Sequence, residues 1–337
     1  MPENPRGIGP LSWRTLVDEA LARRKEERMT QREHAALAGV SIPTIAAFER
    51  GEHTLTLAKA FDILRVVGLL DEPPEGGAQE RFVRESFDRW RALTHDLPSD
   101  SPARFPNGSY RFDYCLEGDL KPFALTEFEH ILDNAVTKHT GWPLFMMLTR
   151  EDLAPREVGG AIEVWLPPES DGIKRNILGD PAHCDFWRAV PSGRLFLIRG
   201  YQEDGQETFP PASVFDTTLP VWRMGEALLH AERLAGLMRK APESQISVRF
   251  RALYTGLTGR LLRNWANPIS ELMFEGRPAR SDEVLLETEV AAVDISSRLA
   301  DILFPMVSAI YERFGVVGLT TNRIQAEVGR LLSSRMR

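Results

Sequence analysis

Two short segments in the C-terminal half of the chain combine aromatic rings with arginine, a pairing that could hold a small ligand. Phe186-Trp187-Arg188 and Arg199-Gly200-Tyr201-Gln202 offer ring faces beside cationic and polar side chains. Such a mixture suits a small planar or anionic molecule. The alternative is that these rings pack only in a core and on a sheet face. We take as candidate ligand-binding residues Trp187, Arg188, Arg199 and Tyr201.

The same half of the chain also contains residue types that can bind a metal ion. His183-Cys184-Asp185 are neighbours in sequence, so their side chains point in different directions and one metal ion rarely binds all three. Glu226 and His230 stand at i and i+4 of an expected helix, but a complete site needs distant partners. Hydrogen-bonded structural roles account for these residues equally well. The sequence therefore predicts no metal and no cofactor, and it leaves the roles of His183 and Cys184 open.

Sequence motifs of common enzyme classes are missing from the chain. It contains no G-x-x-x-x-G-K-[ST] loop, G-x-G-x-x-G fingerprint, H-E-x-x-H pair or G-x-S-x-G elbow. Residues 255–259, Thr-Gly-Leu-Thr-Gly, have the composition of a small-residue turn. We therefore expect that the protein is not an enzyme, with an enzyme carrying an N-terminal targeting domain as one alternative.

A pair of short helices is predicted within residues 30–51. Thr30 and Ser41 are suitable N-cap residues, and Gly39 and Gly51 can take the left-handed conformation that ends a helix. Apolar residues brace the two helices across each other, namely Ala35, Leu37, Val40, Ile45 and Phe48. The second helix can then project its first residues into a DNA major groove about 12 Å wide.

This stretch resembles the Cro/cI-like helix-turn-helix domain of Xre-type bacterial and phage repressors. The residues that carry the resemblance are Thr30-Gln31, Leu37-Ala38-Gly39-Val40-Ser41, Thr44-Ile45, Phe48-Glu49-Arg50-Gly51 and the helix after Thr56. They cover less than a fifth of the chain. The resemblance implies a regulator that binds double-stranded DNA.

The resemblance also implies roles for individual residues. Gln31 would meet a phosphate beside the helix N-terminus capped by Thr30. Arg24 and Glu49 would form a buried ion pair that holds the second helix in place and reads no base. Two unpaired surface charges are the alternative. We take as candidate DNA-binding residues Thr30, Gln31, Ser41, Ile42, Pro43, Thr44, Ala47, Arg50, His53 and Thr54.

The groove-facing positions depart from the family pattern. Polar side chains that read bases are common there, but this chain has Ile42, Pro43, Thr44 and Ala47. Apolar side chains can contact thymine methyl groups, and Thr44 can bond a base edge or a phosphate. Part of the specificity would then come from DNA shape.

Charge is distributed unevenly along the chain. Residues 1–70 hold ten Lys and Arg against nine Asp and Glu, whereas the remainder holds 31 against 39, for a net charge of −7. The acidic remainder would repel a nucleic acid backbone, so only the N-terminal region suits DNA. Two cysteines exclude a disulfide framework, and no apolar run reaches the roughly 18–20 residues of a membrane span. We expect a cytoplasmic protein without a membrane partner.

Periodicity predicts an all-α N-terminal helix-turn-helix domain at 1–70 and a larger α+β domain at 110–337. A linker at 71–109 would join them and hold one helix at 79–93. The α+β domain is expected to be an antiparallel sheet with helices on one face. Its expected strands lie at 161–166, 194–199, 245–254 and 283–293. Its expected helices lie at 123–139, 219–240, 296–314 and 322–336.

Residues 105–315 are also similar to a region that follows DNA-binding modules in bacterial proteins. The similarity is carried by segments such as Thr140-Gly-Trp-Pro143 and Asp185-Phe-Trp-Arg188. It implies a regulatory architecture, and we assign no activity to it.

These features together predict a dimeric transcription repressor whose C-terminal domain senses a small effector or mediates dimerisation. One small domain with few base contacts reaches little specificity, whereas two linked half-sites gain by effective concentration. The helices at 79–93 and 296–314 are candidate dimer surfaces. An antitoxin-like regulator, whose acidic domain binds a basic protein, is the second alternative. The operator, the effector and the sign of regulation stay open.

Overall fold

The structure is a computed structural model that describes residues 12–27, 29–31, 34–35, 38, 40–53, 55–70, 77–170, 173–174, 180–266 and 277–333. The chain divides into two compact units, Met1–Arg81 and Phe82–Arg337. Within the described ranges, no helix combines the length and apolarity needed to cross a bilayer.

The N-terminal unit is built from helices. These are α1 (Trp13–Glu26), α2 (Ile42–Glu49) and α3 (Leu57–Val66). Between α1 and α2, the amides of His34 and Ala38 donate to the carbonyls four residues earlier, as in a helix. The core of the unit consists of Val17, Ala20, Ala35, Ala38, Ile45, Phe48, Ile63, Leu64 and Val67. The predicted all-α fold is confirmed, while Leu37 and Gly39 lie outside the described residues.

Side-chain caps begin two of these helices where the sequence predicts them. The Thr44 amide donates to Ser41 Oγ at 3.3 Å, and the Lys59 amide donates to Thr56 Oγ1 at 3.5 Å. Each cap satisfies an amide that has no partner inside its helix. Gly51 follows α2 with a φ of +77°, a conformation that glycine adopts without steric strain.

The described residues of the C-terminal unit form eleven strands and the remaining α-helices. The strands are β1 (Ser109–Gly118), β2 (Arg156–Val158), β3 (Ala161–Trp165), β4 (Glu169–Ser170), β5 (Ile173–Lys174), β6 (Phe186–Val190), β7 (Arg194–Gly200), β8 (Val214–Asp216), β9 (Ile246–Tyr254), β10 (Leu261–Arg263) and β11 (Val284–Ala291). The helices are α4 (Ala78–Thr94, which starts before the unit boundary), α5 (Leu125–Ala135), α6 (Leu219–Met238), α7 (Ile295–Arg313) and α8 (Thr321–Ser333).

Seven of the strands form one antiparallel sheet in the order β11-β9-β1-β7-β6-β3-β2. Two small ribbons, β4 with β5 and β8 with β10, stand apart from it. The predicted α+β class and the predicted strands are confirmed. Strand β1 lies inside the sheet, paired with β7 and β9, and the sequence analysis does not predict it. Its alternation of apolar and polar residues is a usable strand signal.

Helices cover both faces of the sheet. One face of β1 presents Tyr110, Phe112, Tyr114 and Leu116 to the core formed with α5 to α8. On the opposite face, Phe82 and Val83 of α4 pack with Phe186, Phe196 and Ile198. The expected arrangement with helices on one face is therefore incomplete. Residues 71–109 are predicted to be a linker with one helix. The structure adds that this helix, α4, carries an apolar stripe that packs against the sheet.

Candidate functional site

The first turn of α2 is the most exposed part of the predicted helix-turn-helix. Ser41, Ile42 and Pro43 are exposed, and Ile42 keeps 46% of its surface accessible. Thr44 and Ala47 are half-buried, and the Ser41 and Thr44 hydroxyls lie 2.8 Å apart. Ile45 and Phe48 point into the core. The helix thus buries one face and presents its N-terminal turn outward.

A carboxylate fixes α2 to the rest of the unit. Arg24 Nε donates to Glu49 Oε1 at 2.6 Å, and Gln31 Nε2 donates to Glu49 Oε2 at 2.6 Å. Both members of the Arg24–Glu49 pair are largely buried, which strengthens their attraction relative to a surface pair. Arg24 also donates to the Met29 carbonyl at 2.6 Å. Glu49 therefore joins α1, the segment at Gln31 and α2.

The end of α2 is held by α1. Trp13 Nε1 donates to the Gly51 carbonyl at 3.1 Å, and its ring meets Phe48 edge-on at 5.4 Å. Arg50 is exposed and donates to Glu52 at 2.8 Å, and His53 is exposed. Thr30 is exposed as well, and Thr54 lies outside the described residues.

The four candidate ligand residues of the C-terminal unit do not line one pocket. The Trp187 ring is fully buried and its Nε1 donates to the Met146 carbonyl at 3.1 Å. Arg188 belongs to the opposite face of the sheet, where its Nε lies 3.5 Å from Glu163 Oε2. Neighbours in a strand point to opposite faces, so Trp187 and Arg188 cannot share a site.

Arg199 and Tyr201 are engaged in the interior of the unit. Arg199 Nε donates to Asp185 Oδ1 at 2.7 Å, and neither side chain is exposed. Burial opposes the charge of Arg199, but Asp185 and its other neighbours leave its pKa above the ordinary value. The Tyr201 hydroxyl donates to the Thr255 carbonyl at 2.8 Å, and the Arg260 guanidinium lies 4.4 Å from the ring centre.

A pocket of about 610 Å³ lies elsewhere in the same unit. Its walls come from the segment at 139–142, the turn Pro181–His183, Gln202, the start of α6 and the segment at Trp265. Trp142, Trp222 and Trp265 line it, and all three rings are partly exposed. The indole N–H of Trp142 donates to Asp185 at 3.1 Å, and that of Trp222 donates to the Glu327 carbonyl at 3.3 Å. Two of the rings are thus fixed by the protein.

The Arg223 guanidinium lines this pocket and donates hydrogen bonds to three neighbouring residues. Its Nη1 donates to Thr140 Oγ1 at 2.6 Å and to the Trp142 carbonyl at 2.8 Å. Its Nη2 donates to Gln202 Oε1 at 3.3 Å. The Glu226 carboxylate lies 3.6 Å from Nη1 and accepts from the Thr140 hydroxyl at 2.7 Å. Sequence reasoning missed this residue, although Trp222-Arg223 repeats the aromatic–arginine pairing of Trp187-Arg188.

An inner cavity of about 20 Å³ adjoins the pocket and shares Ala182, Gln202, Leu219 and Arg223 with it. This volume is sufficient for one water-sized group. Tyr254 lines the cavity, and its hydroxyl has no hydrogen-bond partner among the described residues.

Glu203 and Tyr201 also line the inner cavity. Burial, and next the Asp216 carboxylate, raise the pKa of Glu203 to about 7. Glu203 Oε1 accepts from the Asp216 amide at 2.7 Å, so its position is fixed by the backbone. Tyr201 is the only one of the four sequence-predicted ligand residues that lines either cavity.

The residues considered for metal binding have other contacts. His183 Nδ1 lies 2.9 Å from Asp180 Oδ2, Cys184 is buried and not part of a disulfide, and Asp185 pairs with Arg199. His230 Nδ1 lies 2.7 Å from the Tyr114 hydroxyl, and burial lowers the pKa of His230 to about 3. Within the part of the chain that the structure describes, no three His, Cys, Asp or Glu side chains group as metal ligands.

Comparison with known proteins bears on the N-terminal unit. Residues 21–71 match the family model described as helix-turn-helix. No curated protein and no solved structure matches the chain. The matched segment contains the caps, all of the listed core residues except Val17 and Ala20, and the Arg24–Glu49 pair. The match supports the Cro/cI-like helix-turn-helix and, with it, a DNA-binding transcription regulator.

Proposed function

We propose that the chain is a dimeric transcription repressor that binds DNA through α2 and senses a small molecule in its C-terminal unit. The observation that carries the DNA-binding part is that the first turn of α2 is exposed while the opposite face of the helix packs in the core. Both lie within the segment that matches the helix-turn-helix family. A helix N-terminus placed in this way presents its side chains to DNA.

The exposed residues define the contacts in this proposal. Ile42, Pro43 and Ala47 meet thymine methyl groups, and Thr44 meets a base edge or a phosphate. Gln31 uses one of its two amide N–H groups on Glu49, and the other is the donor for a phosphate. Residues 1–70 are almost neutral, so the counterion contribution of each domain is small and two domains are needed for useful affinity.

An apolar pair on α3 supports self-association. Leu57 is 68% exposed, and Phe61, one turn further on, is also exposed. Side chains at i and i+4 lie on the same helix face and form a continuous apolar strip that suits a second copy of the chain. The two helices that the sequence suggests as dimer surfaces bury their apolar faces within the C-terminal unit instead.

The experiment compares the DNA affinity of three full-length proteins by fluorescence anisotropy, at two salt concentrations, on DNA from upstream of the gene. Ile42→Glu places a carboxylate at the N-terminus of α2, where the helix dipole tolerates it but DNA phosphates repel it. We expect its affinity to fall about tenfold or more, because it loses apolar contacts and gains repulsion.

Thr15→Glu is the matched control, since Thr15 is exposed in the first turn of α1. We expect it to bind DNA like the wild type. Leu57→Glu tests the dimer, and sedimentation should show a shift from dimer to monomer. The DNA-binding proposal is wrong if Ile42→Glu and the wild type bind all tested DNA equally.

The same exposed side chains support a regulator that acts on a protein partner. Ile42, Leu57 and Phe61 are apolar and accessible, as in a protein-binding surface. In that case the wild type would show only weak, salt-sensitive and sequence-independent DNA affinity. Neither the wild type nor Ile42→Glu would then prefer one DNA sequence over another.

A further inference from the structure

We infer that the pocket beside Arg223 is the effector site and that it takes a neutral, planar molecule with one hydrogen-bonding group. This inference rests on the sensing function proposed above and names its ligand class. The size of the pocket, its ring-lined walls, its charge balance and the unpartnered tyrosine hydroxyl each constrain that class.

The walls of the pocket favour a planar ligand. A volume of about 610 Å³ lies within the range of small-molecule sites. Trp142, Trp222 and Trp265 come from three separate segments and still line one space with partly exposed rings. Tryptophan that is kept accessible inside a concave site offers flat apolar faces to a second ring.

The charges of the pocket favour a neutral ligand. Arg223 faces the Glu226 carboxylate at 3.6 Å and donates to Thr140, Trp142 and Gln202. The neighbouring Asp185 carboxylate is paired with Arg199. A carboxylate ligand would lose its hydration and find a guanidinium whose charge Glu226 already balances. A neutral ligand does not lose the hydration energy of a charged group when it binds.

The inner cavity provides the hydrogen-bonding end of the site. Tyr254 is 2% exposed and lines the cavity, and its buried hydroxyl has no partner among the described residues. A buried hydroxyl in this state carries a desolvation cost that a ligand oxygen or nitrogen would remove. Because the cavity holds one water-sized group and shares Gln202 and Arg223 with the pocket, it is placed to accept one polar atom of a ligand seated in the pocket.

The test uses matched neutral and anionic probes on the full-length protein without DNA. The neutral probes are indole-3-acetamide and quinoline-3-carboxamide, and the anionic probes are indole-3-acetate and quinoline-3-carboxylate. Binding is measured by saturation-transfer NMR and by quenching of tryptophan fluorescence. We expect each amide to bind about tenfold more tightly than its carboxylate, because the carboxylate must be desolvated beside an Arg223 charge that Glu226 already balances. The inference is wrong if no amide binds, or if the carboxylates bind as tightly or more tightly.

Tyr254→Phe tests the inner cavity. This variant loses no protein hydrogen bond, so its folded state should be at least as stable as the wild type, while amide affinity falls about fivefold. Tyr311→Phe is the matched control, because the buried Tyr311 hydroxyl donates to the Thr217 carbonyl at 2.7 Å. It should lower stability and leave amide affinity unchanged. Equal amide affinity in Tyr254→Phe and the wild type would show that the cavity serves only water.

The link to regulation is tested separately. DNA affinity is measured by anisotropy at saturating amide probe and without it. A changed affinity supports the effector role. Probe binding with unchanged DNA affinity would leave the site intact and overturn the sensing part of the proposed function.

Discussion

The two units place their candidate functional residues in opposite ways. In the N-terminal unit, the exposed residues proposed to contact DNA at α2 lie within one stretch of sequence, 41–53, and face outward. In the C-terminal unit, the pocket draws on segments from His139 to Ala266 and its residues face inward. A contiguous outward site follows from local rules, whereas an inward site exists only after distant segments have packed.

Two ion pairs, one from each unit, differ in their burial. Arg199 and Asp185 are both fully buried in the C-terminal unit. In the N-terminal unit, Arg14 and Asp18 form an i,i+4 pair with side chains 66% and 55% exposed. Water screens the second pair and not the first. Loss of the Arg199–Asp185 pair should therefore cost more stability than loss of the Arg14–Asp18 pair.

The largest effect should come from breaking the buried pair. Asp185→Asn leaves the Arg199 cation buried without a countercharge, so the free energy of unfolding should fall by roughly 3–5 kcal/mol. Urea unfolding followed by tryptophan fluorescence measures it, since six of the seven tryptophans lie in residues 82–337. Asp18→Asn is the matched control and should cost less than about 1 kcal/mol. Equal costs for the two changes would remove the contrast between the units.

A pH effect of the next size should come from Glu203. Its folded-state pKa of about 7 exceeds the ordinary 4.5, so the folded state holds this proton where the unfolded chain has lost it. Stability from Glu203 is fully present below pH 4.5 and falls by roughly 3 kcal/mol as pH rises to 7. Buried His230, with a pKa near 3, acts oppositely and costs stability as pH falls below 6.5.

Glu203→Gln isolates the first contribution, because the amide oxygen can still accept from the Asp216 amide. Urea unfolding at pH 5, 6 and 7 should show that this variant becomes more stable relative to the wild type as pH rises. A constant difference across the three pH values would contradict the raised pKa of Glu203.

A smaller loss is expected when α2 is released from its carboxylate anchor. Glu49→Ala removes the bonds from Arg24 and Gln31, and we expect a loss of about 2 kcal/mol in the N-terminal unit. Hydrogen exchange of peptides that cover 42–53 should accelerate, with unchanged exchange in β1 and β9. Unaltered exchange in 42–53 would mean that the core alone positions α2.

The smallest effect concerns the caps. Ser41→Ala removes the side-chain acceptor for the Thr44 amide and should cost about 1 kcal/mol. Ser12 precedes α1 without a side-chain cap bond, so Ser12→Ala should be close to neutral. Thermal unfolding of the full chain, read by circular dichroism at the first transition, compares the two. A cost at Ser12 as large as that at Ser41 would count against the cap geometry.

Much of the fold follows from patterns that act over a few residues. Ser41, Thr56 and Gly51 set helix ends through local hydrogen bonds and backbone freedom, and all three are readable in the sequence. Strands β3, β7, β9 and β11 follow from β-type composition and period-two patterning. Strand β1 has an equally clear alternation, so the sequence carries the signal for this strand as well.

The tertiary structure alone decided which side chains meet. Arg199 pairs with Asp185, and Trp187 donates to the Met146 carbonyl. Trp222 and Arg223, in contrast, line a pocket. Local sequence looks alike at both aromatic–arginine pairs, because it does not encode which strand or helix lies opposite. The N-terminal helix-turn-helix was thus determined by the sequence itself, and the pocket was decided by packing between distant segments.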